Sequence, residues 1–199
     1  DTVNIGGTPV APTTTTVTIQ GGNVTPLSAT FNNSSLDYTL TSGDGSGIAA
    51  GILTKNGTGK LTISTANSYT GASTINAGNV TMSGSGTLGS GSALTLSGGQ
   101  LNLGTSSQSV GVVSITAPAT SGDTILNGSL TGTSYAASNT SGNAVISANL
   151  LVNGAAGFTM SGAGGMVTLA GANTYTGATS VTAGTLGLTG SLTSSSVST

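Results

Sequence analysis

Short apolar–polar–apolar triplets recur along the whole chain: Val17-Thr18-Ile19, Leu61-Thr62-Ile63, Val80-Thr81-Met82, Leu94-Thr95-Leu96, Leu101-Asn102-Leu103, Val113-Ser114-Ile115, Val167-Thr168-Leu169 and Leu186-Gly187-Leu188. Successive side chains on a strand point to opposite faces, so each triplet aims its two outer residues one way and its middle residue the other. Between the triplets lie clusters such as Ser83-Gly84-Ser85-Gly86, Ser97-Gly98-Gly99 and Ser161-Gly162-Ala163-Gly164-Gly165, where glycine supplies the positive φ of a sharp corner. No segment carries apolar residues at helical spacing, and the abundance of glycine and β-branched residues opposes a helix. Strands this short bury little by themselves. They must therefore stack.

An internal repeat shows how. Residues 60–84 and 166–190 align without a gap at an offset of 106, sharing Ala66, Asn67, Tyr69, Thr70, Gly71, Ala72, Ala77 and Gly78 with Ala172, Asn173, Tyr175, Thr176, Gly177, Ala178, Ala183 and Gly184. Repetition of this kind points to a solenoid in which each unit covers its neighbour's apolar face. At roughly 20 residues per turn the offset is about five coils and the chain about nine or ten.

Composition narrows the chemistry. Only 3% of the residues are charged and the net charge is -2, against roughly 25% charged residues in an ordinary domain. The chain has no Glu, Arg, His, Cys or Trp, which removes the usual general acids, bases and nucleophiles and the soft metal ligands. Lys55 and Lys60 are the only cationic side chains, so no basic patch can neutralise phosphates and no nucleic-acid partner is expected. Neither a run of about 20 apolar residues nor a charged and then apolar leader is present, so no membrane span is expected and any secretory signal has been removed or never existed. Low charge also leaves little self-repulsion.

The segments Gly51-Ile-Leu-Thr-Lys55-Asn-Gly57-Thr-Gly59, Ala66-Asn67-Ser-Tyr69-Thr-Gly71 and Ile75-Asn-Ala77-Gly78-Asn-Val80, with their second copy Gly171-Ala-Asn-Thr-Tyr-Thr-Gly177 and Val181-Thr-Ala-Gly-Thr-Leu186, resemble the autotransporter-associated β-strand repeat found in passenger regions of bacterial surface proteins. The second copy lacks the lysine ahead of Gly-x-Gly and sets Gly162-Ala163-Gly164 one residue further from its strand, so that corner is rebuilt. The resemblance implies a right-handed parallel β-helix, exported to the cell surface or exterior, that forms a stalk; it implies no activity.

The expected architecture is therefore all-β: a right-handed parallel β-helix (β-solenoid) over residues 17–199, with family repeats near 51–84 and 158–190, and an extended N-terminal arm over 1–16. Pro9 and Pro12 lack the amide proton a ladder needs, and Pro9, Val10, Pro12 and Val17 are the expected assembly arm. Around Ala117-Pro118-Ala119 and at 135–142 the alternation weakens and reads as longer loops; 191–199 reads as a polar tail.

Each candidate site has a structural reading beside the chemical one. Asn67 and Asn173 read as turn asparagines bonding backbone groups, and Tyr69 and Tyr175 as corner residues that pack the ring and turn the hydroxyl outward. With Gly71, Gly78, Gly177 and Gly184 they form the structural motif. Ser42-Gly43-Asp44-Gly45-Ser46-Gly47 has one carboxylate, too few for a hard cation. Lys55 and Lys60 flank Asn56-Gly57-Thr58-Gly59 without the phosphate-loop order or a following helix. Asp37, Asp44 and Asp123 are scattered, and no catalytic, cofactor or metal site is expected. Four functions compete: a structural rod that stacks head to tail on copies of itself, an adhesive module for a saccharide or cell surface, an ice-binding face, and a polysaccharide-cleaving enzyme. The rod is favoured; ice binding lacks a visible Thr-x-Thr at coil spacing, and cleavage lacks a carboxylate pair.

Overall fold

The computed structural model describes residues 1–6, 14–118, 120, 124–151, 153–193 and 196–199. In it the triplets become rungs of stacked coils. One face is built, in chain order, from Ser28–Asn32, Ile52–Asn56, Ser73–Ile75, Leu94–Ser97, Val112–Ala117, Ser134–Ala137, Phe158–Met160, Thr179–Val181 and Val197–Ser198. The second face is built from Thr16–Thr18, Tyr38–Thr41, Lys60–Ile63, Asn79–Met82, Gln100–Asn102, Ile125–Leu126, Asn143–Ile146, Met166–Leu169 and Thr185–Leu188. The chain alternates between the faces, and neighbours within each of these series run parallel. A third side carries Ser107–Ser109, Ser129–Thr131 and Asn149–Leu151. This is a β-solenoid of about 8 turns, about 40 Å long at roughly 4.8 Å per coil.

Coil length explains why the turns are fewer than 20-residue spacing predicts. From Ser28 to Ile52 the chain advances 24 residues, and from Thr179 to Val197 only 18. The spacing of the internal repeat is as expected: Ile52–Asn56 and Phe158–Met160 stand five coils apart on the first face.

The outer residues of each triplet point inward. Leu61, Val80, Leu101, Ile125, Ile146 and Leu169 stack in register down the second face, all of them buried, each contributing roughly 1.5–3 kcal/mol by leaving water. The middle residues face out. On the first face the register places Thr30, Thr54, Thr74, Thr95, Ser114, Ala136, Thr159, Ser180 and Ser198 in single file, a row at coil spacing that unequal coil lengths hide in the sequence. Beside it Asn56 Nδ2 donates to Asn32 Oδ1 (2.7 Å) and Asn76 Nδ2 to Asn56 Oδ1 (2.8 Å).

Three readings change. Within 135–142, Ser134–Ala137 is a strand whose Tyr135 and Ala137 are buried; a tyrosine and an alanine at the inward positions weakened the apolar signal. The 191–199 stretch adds Ser191–Leu192 beside Ala172–Asn173 and Val197–Ser198 beside Thr179–Val181. At the other end Thr2–Ile5 lies antiparallel along Ser28–Asn32, held by the Asp1 carboxylate, which accepts the amides of Ser34, Ser35 and Leu36 at 2.8, 3.0 and 2.8 Å. Val17 belongs to the strand Thr16–Thr18, paired with Leu40; Pro9, Val10 and Pro12 lie outside the described residues.

Candidate functional site

The repeated Asn-x-Tyr corners were the strongest sequence candidates for a site, and their side chains are committed to neighbouring coils. Asn67 is buried where the chain leaves the second face. Its Oδ1 accepts the Ile48 amide of the preceding coil (2.9 Å) and the Thr65 hydroxyl (3.0 Å), while Nδ2 donates to the Thr87 carbonyl of the next coil (2.7 Å). Thr87 Oγ1 completes the link by accepting the Asn67 amide and donating to its carbonyl. Asn173 repeats the arrangement: Oδ1 accepts the Leu150 amide (3.1 Å), and Nδ2 donates to the Gly171 and Ser191 carbonyls (2.9 and 3.1 Å). One amide thus ties three successive coils together, satisfying backbone groups that a corner removes from the ladders.

The tyrosines depart from expectation. Tyr69 and Tyr175 bury the hydroxyl as well as the ring, because a polar partner waits inside: Ser73 Oγ at 2.8 Å from the Tyr69 oxygen and Thr179 Oγ1 at 2.9 Å from that of Tyr175. Burial raises both phenol pKa values above 10. Tyr135 is a third inward tyrosine; its hydroxyl accepts the Gly132 amide at 2.8 Å, and its ring packs 5.8 Å from that of Tyr175.

The motif glycines are spacing elements. A β-carbon on Gly71 would lie 2.2 Å from the Gly51 carbonyl oxygen, and one on Gly177 would lie 2.3 Å from that of Ala155. Gly78 and Gly184 have φ of 68° and 78°. Beneath Gly78 lies Lys55, which is wholly buried and whose Nζ donates to the Asn56 and Gly57 carbonyls at 2.8 and 2.7 Å and to Ala77 at 3.4 Å. Desolvation pulls its pKa down to about 8, against a weak pull upward from Asp37. In the second copy Met160 fills the same slot, its Cε beneath Gly184. Lys55 is therefore unavailable to a phosphate, and Lys60 pairs with Asp37 at 3.6 Å.

The carboxylates are also spent on the backbone. Asp37 accepts the Lys60 amide (2.7 Å). Asp44 accepts the Gly21 amide (2.7 Å), the Ser46 amide (3.0 Å) and the Ser42 hydroxyl (2.8 Å), and the Ser46 hydroxyl foremost, with these three bonds, holds its pKa well below the usual carboxylate range. Asp123 lies outside the described residues, among which no cluster of three or more potential metal ligands is found.

Sequence reasoning missed a second asparagine pair. Asn33 Nδ2 donates to the Leu36 and Lys60 carbonyls (2.8 and 3.0 Å), and Asn139 Nδ2 donates to those of Ser141, Gly142 and Met166 (3.3, 3.4 and 3.0 Å). Each sits under the Gly-x-Gly of the following coil, where a β-carbon on Gly59 or Gly165 would meet the amide nitrogen at 2.6 or 2.7 Å. The two asparagines are 106 residues apart, so extending the internal alignment upstream finds them. Gln108 staples the third side in the same manner, accepting the Leu88 amide and donating to the Gly86 carbonyl.

The side chains of this arrangement brace neighbouring coils. A family model, the passenger-associated-transport-repeat, matches residues 53–82 and 158–188. No curated protein and no solved structure matches the chain significantly. The two matched segments carry the Lys55 and Met160 slots and their Asn-x-Tyr corners, and the chain is a β-solenoid with two segments that match the passenger-associated-transport-repeat model.

Proposed function

We propose that this chain is a structural, non-catalytic β-solenoid of an exported passenger region, a stiff element that associates head to tail with copies of itself. The observation that carries the reading is the use made of the polar side chains. Asn67, Asn173, Asn33, Asn139, Gln108, Lys55 and the three described aspartates all hydrogen-bond to backbone groups, most of them on adjacent coils. Groups committed in this way stabilise a stack and leave little to act on a substrate. The repeat itself is one associated with passenger transport, which supports an extracellular or cell-surface location. The test is negative-stain imaging with light scattering of the purified chain over a range of concentrations. Filaments or mass growth are expected; a monomer at high concentration ends the assembly part of the reading.

The uncharged row on the first face favours a second reading, an adhesive surface. All four tyrosines and both phenylalanines are buried, which removes the aromatic platforms on which sugar rings stack, so such a surface would work through hydroxyl and amide contacts. Pull-down on insoluble polysaccharides, with Thr54→Lys and Thr74→Lys together as the control, separates it from the rod.

A further inference from the structure

Asparagine followed by glycine occurs three times, at Asn56–Gly57, Asn127–Gly128 and Asn153–Gly154, and each pair turns a corner with its glycine at positive φ (74°, 51° and 64°). This pair is chemically reactive. The side-chain amide carbon of the asparagine is one ring closure away from the peptide nitrogen of the next residue, and glycine has no side chain to obstruct the approach. Whether the ring closes depends on how firmly the coil holds both partners, and the three corners differ in that.

Asn56–Gly57 is held most firmly. Asn56 Nδ2 donates to Asn32 and its Oδ1 accepts from Asn76, Lys55 Nζ donates to the carbonyls of both corner residues, and a β-carbon on Gly57 would lie 2.3 Å from the Asn33 carbonyl oxygen. Asn127–Gly128 is held in part. Asn127 Nδ2 donates to Asn102 Oδ1 at 2.9 Å, and Gly128 is wedged between coils: its carbonyl accepts the Asn149 amide at 3.1 Å, and a β-carbon on it would lie 2.4 Å from the Ser106 carbonyl oxygen. Asn153 and Gly154 are both exposed. Among the described residues the Asn153 side chain has no hydrogen-bond partner and the Gly154 amide donates to none, and nothing lies within 4 Å of a β-carbon built on Gly154. The anchor of this corner is the Thr176 hydroxyl, which donates to the Gly154 carbonyl at 3.2 Å.

We infer that Asn153–Gly154 is a self-modification site, at which the chain cyclises and then hydrolyses with water as the co-reactant. Once hydroxide has taken the Gly154 amide proton, that nitrogen attacks Asn153 Cγ. The N–Cγ bond forms, the Cγ–Nδ2 bond breaks, and ammonia leaves with a proton supplied by water, which regenerates the hydroxide. The product is a five-membered succinimide. Water then adds to one of its two carbonyl carbons, giving aspartate where the ring nitrogen leaves Cγ and isoaspartate where it leaves the backbone carbon. Nothing is oxidised or reduced. Either product places a carboxylate in residues 124–199, which hold no charged side chain, and so adds one negative charge to a net charge of -2.

To test this, the purified chain is incubated at neutral and mildly alkaline pH, digested with a protease of broad specificity, and its peptides are separated and weighed. In the folded chain the peptide holding Asn153 should gain the mass that replaces –NH2 by –OH and split into aspartate and isoaspartate forms. It should do so more than about tenfold faster than the peptide holding Asn56, a barrier difference of roughly 1.4 kcal/mol, with Asn127 between them, and the rate should climb with pH. In concentrated urea the three rates should converge, because only the coil distinguishes the sites. Gly154→Ala should slow the gain at Asn153 alone; since Gly154 sits at positive φ, Asn153→Gln is the second variant, lengthening the side chain without straining the corner. Equal rates at the three sites in the folded chain, or Asn56 reacting first, would overturn the proposal. So would a gain at position 153 that neither variant slows, or aspartate formed without isoaspartate, which marks direct hydrolysis of the side-chain amide.

Discussion

Lys55 is the residue at which sequence and structure differ most in meaning. In the string of letters it is one of two cations beside a glycine-rich corner; in the coil it is an inward rung between Phe31 and Ile75. Parity carried the signal, since Leu53 faces inward and Lys55 follows two positions later, but a charge at an inward position is easily read as a loop residue. A base whose folded pKa is lowered to about 8 burdens the fold below that pH, where both states hold the proton. The burden lifts as pH rises from 8 towards 10.5, because there the unfolded chain binds the extra proton. Urea midpoints should therefore rise between pH 7.5 and 9.5, by the equivalent of about 2 kcal/mol; above pH 10 the buried tyrosines, whose pKa values are raised, act in the opposite sense. Lys55→Met, which copies the Met160 slot of the second repeat, should abolish that rise while leaving stability at pH 7 unchanged or higher by about 1 kcal/mol. Asp44 has the opposite sign: its lowered pKa contributes stability above about pH 4 that is lost as pH falls. The difference in urea midpoint between wild type and Asp44→Asn should accordingly shrink steadily on acidification.

At the scale of a coil, the distinction that matters is between corners that touch the next coil and corners that do not. Gly71→Ala drives a methyl to 2.2 Å from a backbone oxygen and should cost about 3 kcal/mol or more. Gly91, with φ of 74° but nothing within 4 Å, should lose only about 1 kcal/mol on the same change. Thermal unfolding of the two variants separates contact from conformation. Asn67→Ala strands the Ile48 amide and the Thr87 carbonyl, and a loss of about 2–4 kcal/mol is expected; Tyr69→Phe, which removes one partner of Ser73, should lose about 1 kcal/mol. The Asn-x-Tyr-Thr-Gly spacing was legible because it recurs, and the inward triplets were legible because strand alternation is local. The outward Thr and Ser row was not, because it depends on register between coils of unequal length. The tyrosine hydroxyls misled for a related reason: Ser73 and Thr179 lie four residues away around a corner, and only the folded coil brings them inside.

For the molecule as a whole, the strand pairings among the described residues run between neighbouring coils, so stability is distributed along one dimension. Hydrogen exchange should be slowest for the enclosed strands from Ser73–Ile75 to Asn143–Ile146 and faster at the exposed Val197–Ser198. The same geometry has a mechanical consequence. The interstrand hydrogen bonds of both faces point along the stacking axis, so a pull on the two ends loads coils in sequence and never shears a whole sheet at once. Held by its termini in a force spectrometer, the chain should yield in a staircase of modest, similar forces, each step releasing one coil. Since a coil holds 18 to 24 residues, each step should lengthen the tether by roughly 60–80 Å, a ruler by which individual turns can be counted as they leave the stack.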